Sequence, residues 1–476
     1  MGGGVAGLSA AWRLVRAGFS DFTLLEIDDA PGGTAKSGEN ATSAFPWGAH
    51  YITVPMKDNP ALARLLDELG VLEGRDEQGE PIATEAALCR EPQERLFYRG
   101  TWSPGLYLHS GATPADLGEL ARFRARMDGF AALRDARGRR AFALPLSRSS
   151  DDADLTALDR TSMADWMRAE GFTSQRLLWT VDYACRDDYG SRPDQTSAWA
   201  AIFYFAARLA TKGSEGQPII TWPEGNGRLV RALAEACPGH VRLGATAFDV
   251  VPGDGSVDVL ALGPAGPIGF HAQQVIVATP QLVVKHLVRP YRESREARAH
   301  LESFEYGAWL VANLTIKERP RSKGIPFAWD SVLYESPSLG YVVAGHQRGS
   351  DHGPTVLTYY HPMTDEEPKR ARERLLSATR DDWADAVLTD LGVAHPDLAS
   401  LTTRLDVMRW GHAMVRPRPG FIWGEARRRA AQPLRGIHFA HSDLSGVALF
   451  EEAFDHGVRA AEEVLAARSI AFDTIR

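Results

Sequence analysis

Apolar and polar positions alternate along the chain in blocks that predict a mixed α/β protein. Residues 5–16 carry apolar positions at helical spacing, and Gly18 stops the helix. Residues 22–25 form a short apolar run that reads as a buried strand ending at Glu26. Amphipathic helices are expected at 60–71 and 161–170. Strands are expected at 241–243, 245–251, 274–278, 307–317, 340–345, 355–360 and 436–440. A helix follows over 451–467. The segment 133–155 is rich in Arg, Asp and Ser and reads as an exposed loop. The longest apolar runs fall well short of the roughly 18–20 residues a membrane span needs, so no span is expected.

The clearest motif lies at the start. Gly2, Gly4 and Gly7 satisfy G-x-G-x-x-G at the mouth of the first helix, and Glu26 follows Gly7 by 19 residues. The first glycine permits a tight turn, the second lets backbone approach a pyrophosphate, and the third lets helix and strand pack closely. The first helical turn, with Val5 and Ala6, turns its N–H groups toward the phosphates. Glu26 is placed to accept from ribose hydroxyls, which favours FAD or NAD over NADP. Such a motif ordinarily follows a strand, yet Met1 sits directly before Gly2. The first strand of a Rossmann-like sheet is thus expected to be missing. The chain is expected to fold poorly without an upstream extension, which could carry a signal segment.

After Glu26 comes Pro31-Gly32-Gly33-Thr34, then Trp47-Gly48-Ala49-His50-Tyr51. Further on are Trp222-Pro223-Glu224-Gly225-Asn226-Gly227-Arg228-Leu229 and the strand 274–280 ending in Ala278-Thr279-Pro280. Near the C-terminus are Phe439-Ala440-His441-Ser442-Asp443 and the helix with Glu451, Ala453, Gly457, Ala460 and Ala461. In order and spacing these segments resemble the flavin-dependent amine oxidase superfamily, which includes monoamine and polyamine oxidases, protoporphyrinogen oxidase and phytoene desaturases. The resemblance implies a Rossmann-like FAD domain with an inserted α+β substrate domain. It implies FAD contacts at Gly33, Thr34, Gly48, Ala49, His50, Ala247, Ala278, Asp443 and Glu451, in addition to the N-terminal motif. Thr34 replaces the family's arginine, and Lys36 is a candidate for the lost charge. His441 and Glu452 replace family glycines.

Because the flavin motifs lie at both ends, the FAD domain is expected to be discontinuous: 1–60, 215–285 and 405–476. The substrate domain is expected at 61–214 and 286–404. Net charge is −8 and pI about 6.0, with basic residues interspersed among acids, so no nucleic-acid partner is expected. Seven of the 53 basic residues are lysine, an Arg-rich usage in keeping with a GC-rich bacterial genome. Cys89, Cys185 and Cys237 lie far apart, with no disulfide framework or zinc spacing, and no metal is expected. A soluble, cytoplasmic protein is expected, or an exported one if an upstream signal was lost.

Flavin carries the redox chemistry, so no protein nucleophile is required. Amine oxidases commonly supply a lysine near flavin N5 from a substrate-domain strand. Here Val311 falls at that position, which weighs against amine oxidation by molecular oxygen and leaves dehydrogenase or desaturase chemistry, with oxygen or another electron acceptor, open. His50 borders the expected flavin ring. Trp410 and His412 lead into the last flavin segment. Asp188, beside Asp187, is a candidate base or cation ligand. The run 199–205 reads as core, or as the lining of an apolar substrate tunnel. Cys185 reads as a buried residue, with covalent flavin attachment as an unsupported alternative. The reading is a hydride transfer from a C–N or C–C bond of a small organic substrate, bulky and apolar or amphipathic, to flavin N5. The alternatives are a redox-neutral mutase or isomerase, and a flavin-binding protein without catalysis. An NAD-binding protein without flavin is opposed by the C-terminal motif.

Overall fold

The computed structural model describes residues 1–208 and 218–476. The two ends of the chain meet in one layer. Helix Val5–Arg16 packs along helix Phe450–Ala467. Gly457 is what lets them touch: a Cβ there would sit 2.0 Å from Ser9 Oγ and 2.2 Å from the Ala6 carbonyl. Arg13 pairs with Glu462 at 2.9 Å beside that contact.

Below this helix pair lie two parallel ladders. Strand Leu24–Leu25 pairs with Val241–Arg242, and Val275–Val277 pairs with Ile437–Phe439. No strand lies between the two ladders among the described residues. Met1 and Gly2 bridge them instead. The Met1 amine donates to Ile276 O at 2.7 Å, Ala278 N–H donates to Met1 O at 2.8 Å, and Gly2 N–H donates to Leu25 O at 2.8 Å. Beside Met1 the ladders enclose a cavity of about 620 Å³, walled by Ala10, Leu14, Leu24, Val275, Ile276 and Val464. A three-stranded antiparallel sheet, Thr246–Pro252, Val257–Gly263 and Gly266–Ala272, completes this half.

The other half is a seven-stranded sheet. In spatial order its strands are Thr402–Val415, Tyr306–Ile316, Thr355–Pro362, Tyr341–Val343, Asp330–Leu333, Glu94–Tyr98 and Thr101–Pro104. Residues alternate between its faces. Leu310, Ala312, Leu314 and Ile316 join a core with helices Pro368–Ser377 and Arg380–Gly392. Trp309 and Val311 belong to the core of the opposite face. A separate helical layer, including Pro114–Ala132, Gln175–Tyr189 and Ala198–Ala206, surrounds its own apolar cluster.

Two expectations need correction. The segment 133–155 is exposed toward both ends but not in its middle, where Ala141, Phe142, Ala143, Leu144 and Leu146 are buried. The return to the flavin half does not occur at 405, because strand Thr402–Val415 pairs with Tyr306–Ile316 and belongs to the substrate sheet. The run 199–205 is helical core, the first of its two readings, with Trp199 and Phe203 fully buried. The expected 214/215 boundary lies outside the described residues.

Candidate active site

The N-terminal loop is built to receive phosphates. Gly4 caps helix Val5–Arg16 without a side-chain bond, and no acid stands in the first turn. The first-turn N–H groups therefore lack protein acceptors, as at any helix start without a capping side chain. Gly33, at φ +57°, comes against Gly4: a Cβ on Gly33 would lie 3.4 Å from Gly4 Cα. Two glycines facing each other leave a backbone-lined cradle. Glu26 is buried beside it, accepting from Gly3 N–H at 2.6 Å and Asp28 N–H at 2.9 Å. Each carboxylate oxygen retains a lone pair for a hydroxyl donor. The segment Gly244–Ala245 runs alongside, donating to Asp28 O and Glu26 O, and Ala247 follows two residues on. These residues fit a dinucleotide with ribose hydroxyls. Lys36 does not supply a free charge, because its ammonium is bound to Asp28.

Ala278 and Asp443 close the floor. Ala278 O lies so near Gly2 that a Cβ there would approach it to 2.5 Å. Asp443 is 1% exposed and accepts from Gln281 N–H at 2.8 Å and Tyr306 O–H at 2.5 Å, with His441 Nδ1 at 3.1 Å. Burial alone would raise its pKa. The neighbouring His441 ring and these bonds outweigh burial and hold it below the usual range. This carboxylate is thus largely spent on protein partners.

From this floor a cavity of about 140 Å³ leads to the sheet. One end is backbone: Thr34, Gly48 and Ala49 on one side, Ala448 to Glu451 on the other. Gly48 is required there, since a Cβ would lie 2.2 Å from Thr34 O. Glu451 accepts from Thr53 N–H at 3.3 Å. The Asn226 side-chain oxygen, on the same wall and 1% exposed, has no donor among the described residues.

Aromatic rings form the middle. Tyr360 donates its hydroxyl to Gly48 O at 2.8 Å. His50 stacks on Tyr360 with centroids 4.6 Å apart and tilts against Trp329 at 5.4 Å. Burial lowers the His50 pKa to about 4, against the opposing pull of the Gly48 carbonyl, so the ring is neutral at neutral pH. Trp410 donates Nε1–H to Trp47 O at 2.6 Å, and Trp309 stands opposite it in the ladder.

Acids line the remaining wall. Asp188 is 3% exposed and pairs with Arg208 at 2.8 Å. Asp187, half-buried on the cavity wall, has no ion-pair partner among the described residues. Burial, then the charge of Asp188, raises its pKa to about 7. Asp330 faces the same space and accepts from Tyr183 O–H at 3.2 Å.

The sequence candidates therefore separate. His50, Trp410 and Asp188 reach the cavity, together with Thr34, Gly48, Ala49 and Glu451. His412 does not. The ladder passes from Trp309↔Trp410 to Gly307↔Met414, so Gly411, His412 and Ala413 together oppose Ala308. That bulge turns His412 to the exposed side. Between the paired acids, Asp188 is tied to Arg208 and Asp187 is the one without an ion-pair partner among the described residues. Asp330, Tyr360, Tyr183 and Arg208 were not singled out by sequence. Only Arg208, a lone charge ending a ten-residue apolar run, left a local signal. Val311 lines the cavity as its alignment implied. Cys185 is fully buried in the helical core, its thiol pushed up by burial, and does not line the cavity.

The model of the flavin-containing amine oxidoreductases matches residues 5–465, and the chain belongs to that family. Among solved structures, putrescine oxidase bound to putrescine superposes with a TM-score of 0.70 at 18% identity, covering 98% of both chains. Cyclohexylamine oxidase from Brevibacterium oxydans IH-35A gives 0.68 at 16% identity, again over 98% of both. A CLA-producing fatty acid isomerase from P. acnes gives 0.67 at 13% identity over 97% of both. These likenesses show a shared fold. A search of curated protein sequences finds no match. The protein is an FAD-dependent oxidoreductase of the amine oxidase type. No helix among the described residues is long and apolar enough to cross a membrane.

Proposed function

We propose that this enzyme oxidises the C–N bond of a small amine that arrives as a cation. The observation that carries this reading is Asp187, a carboxyl without an ion-pair partner among the described residues, set in an aromatic-walled cavity. A buried carboxylate without a counter-charge is costly, and a cationic ligand offsets that cost. An uncharged C–C substrate would leave Asp187 and Asp330 uncompensated, so the acids favour C–N over C–C chemistry. The same argument weighs against a redox-neutral isomerase acting on an apolar chain.

FAD, when bound, supplies the two-electron oxidation that removes a hydride from the carbon beside nitrogen. The chain's own residues prepare the amine. An aliphatic ammonium has a pKa near 10, and its nitrogen lone pair must be free before that carbon is oxidised. Asp187 at about 7 attracts the ammonium when ionised and takes its proton at a carboxylate oxygen. Tyr360, Trp309 and Trp410 exclude water and hold the carbon beside the Gly48–Ala49 backbone. His50, neutral and stacked on Tyr360, acts as a wall rather than as a cation that would repel the substrate. Gly2, Gly4, Gly7 and Glu26 hold the dinucleotide end.

The test is anaerobic mixing of the purified holoenzyme with short alkylamines, followed by visible absorption. Bleaching of the oxidised flavin bands by amines, and not by matched alcohols or alkanoic acids, is expected. Failure of every amine to reduce the flavin, with reduction by an uncharged substrate, would overturn the reading. Repeating the reduced mixture with air shows whether oxygen serves as acceptor.

A further inference from the structure

We infer that Asn226 reads the pyrimidine edge of the flavin ring, its side-chain oxygen accepting the N–H at ring position N3. The inference concerns the cofactor end of the cavity and holds for any substrate. It starts from a buried acceptor with nothing to accept. Asn226 is 1% exposed, and its Oδ1 has no donor among the described residues. A buried amide oxygen without a donor bears the full cost of leaving water, which a ligand N–H would offset.

The side chain is held so that it cannot turn away to find a donor. Its backbone N–H donates to Ala49 O at 3.2 Å, and its Nδ2 donates to Tyr51 O at 2.9 Å. Exchanging the two amide atoms would set Oδ1 against the Tyr51 carbonyl, acceptor facing acceptor, so Tyr51 fixes which atom points elsewhere. Two glycines press this turn onto its neighbours. A Cβ on Gly225, at φ +58°, would lie 2.8 Å from His50 Cα and 2.9 Å from Pro46 Cβ, and one on Gly227 would lie 2.3 Å from Ser37 Oγ. The Gly225-Asn226-Gly227 run thus delivers one rigid amide to the segment 46–51.

The surrounding wall selects the ligand. Asn226 lines the cavity together with Thr34, Gly48, Ala49 and Glu451, at its backbone end. The acids that suit an ammonium stand on other elements, Asp187 on helix Gln175–Tyr189 and Asp330 on strand Asp330–Leu333. Helix Phe450–Ala467 opens at the same end as Asn226 with no side-chain cap. Its first-turn N–H groups have no intrahelical acceptor and can donate to a carbonyl. A fixed amide acceptor beside N–H donors matches a flat edge that carries one N–H between two carbonyls. The pyrimidine edge of the oxidised isoalloxazine is such an edge, with C2=O, N3–H and C4=O in sequence, and N3–H is the one N–H that ring has. Hydrogen bonds to the ring nitrogens are among the means by which a protein holds and tunes this cofactor.

The test exchanges the flavin of the holoenzyme for FAD or for FAD methylated at N3, and reads both affinities by visible absorption and flavin fluorescence. The wild type is expected to bind FAD roughly threefold to tenfold more tightly than the methylated compound, the worth of one hydrogen bond. Asn226→Leu keeps the branched shape and lacks the acceptor. It is expected to weaken FAD by a similar factor and to bring the two affinities within about twofold of each other, the signature of a direct pair. Equal affinities in the wild type would overturn the inference without recourse to a variant. So would a preference for FAD that persists in Asn226→Leu, since another group would then exclude the methyl and Asn226 would be structural. Neither outcome bears on amine oxidation, which the alkylamine mixing tests separately.

Discussion

Strand Tyr306–Ile316 serves two regions that differ in almost every respect except their backbone. On one side Leu310, Ala312, Leu314 and Ile316 meet Leu375, Trp383, Val387 and Leu391, an apolar contact between sheet and helices. On the other, Trp309 and Val311 line the cavity with Tyr360, Asp187 and Asp330. The helix-covered face is a source of stability, since each large aliphatic group there is removed from water. The cavity face keeps carboxyl groups out of water without partners among the described residues, which costs stability. The sheet is thus held from one side so that the other can carry a strained, chemically useful arrangement.

This contrast fixes opposite outcomes for substitutions on the two faces. Asp187→Asn should lower kcat/KM for an amine by about 10²–10⁴-fold, the usual contribution of a positioned base. Its thermal stability above neutral pH should be equal or higher, because a costly buried charge is gone; a large drop in melting temperature would assign Asp187 to the framework instead. Leu314→Ala should do the reverse, costing about 2–5 kcal/mol in denaturant unfolding with turnover unchanged below the transition. Next in size is a pH effect. Asp187 and Glu94 titrate near 7 when folded, raised chiefly by burial, and near 4 when unfolded. Between those values the folded state binds more protons. Their contribution to stability is therefore full below about pH 4 and lost as pH rises through about 7. Melting temperature should show this loss, and Asp187→Asn with Glu94→Gln should flatten it. The smallest effect is expected for Tyr360→Phe, which removes one hydrogen bond to Gly48 O and should cost about 0.5–1.5 kcal/mol.

The dinucleotide end was legible in sequence because its chemistry is local. Gly2, Gly4 and Gly7 act within one turn, and Glu26 follows on the next strand. Helix Phe450–Ala467 was equally legible, since Gly457 and the alanines mark a close helix contact. The cavity wall was not, for a physical reason. Asp330 meets Tyr183 across 147 positions of the chain, and no local pattern announces it. Asp187 and Asp188 were visible as a pair, but which of them lacks an ion-pair partner among the described residues depends on Arg208 reaching Asp188. His412 was named for its place beside Trp410, but the extra residues opposite Ala308 break the alternation that would put both on one face, and such a bulge cannot be read from one strand. In 133–155 the charges outweighed a short apolar run, Ala141 to Leu146, that was the better signal for burial.

The proposal that the cavity face oxidises a cationic amine is tested most directly by the anaerobic rate of flavin reduction by an alkylamine as a function of pH. The rate should rise with pH to a plateau, with an apparent pKa of about 7 that disappears in Asp187→Asn. An unchanged profile in that variant would contradict the role given to Asp187, and an absence of reduction by any amine at any pH would contradict the proposed function itself.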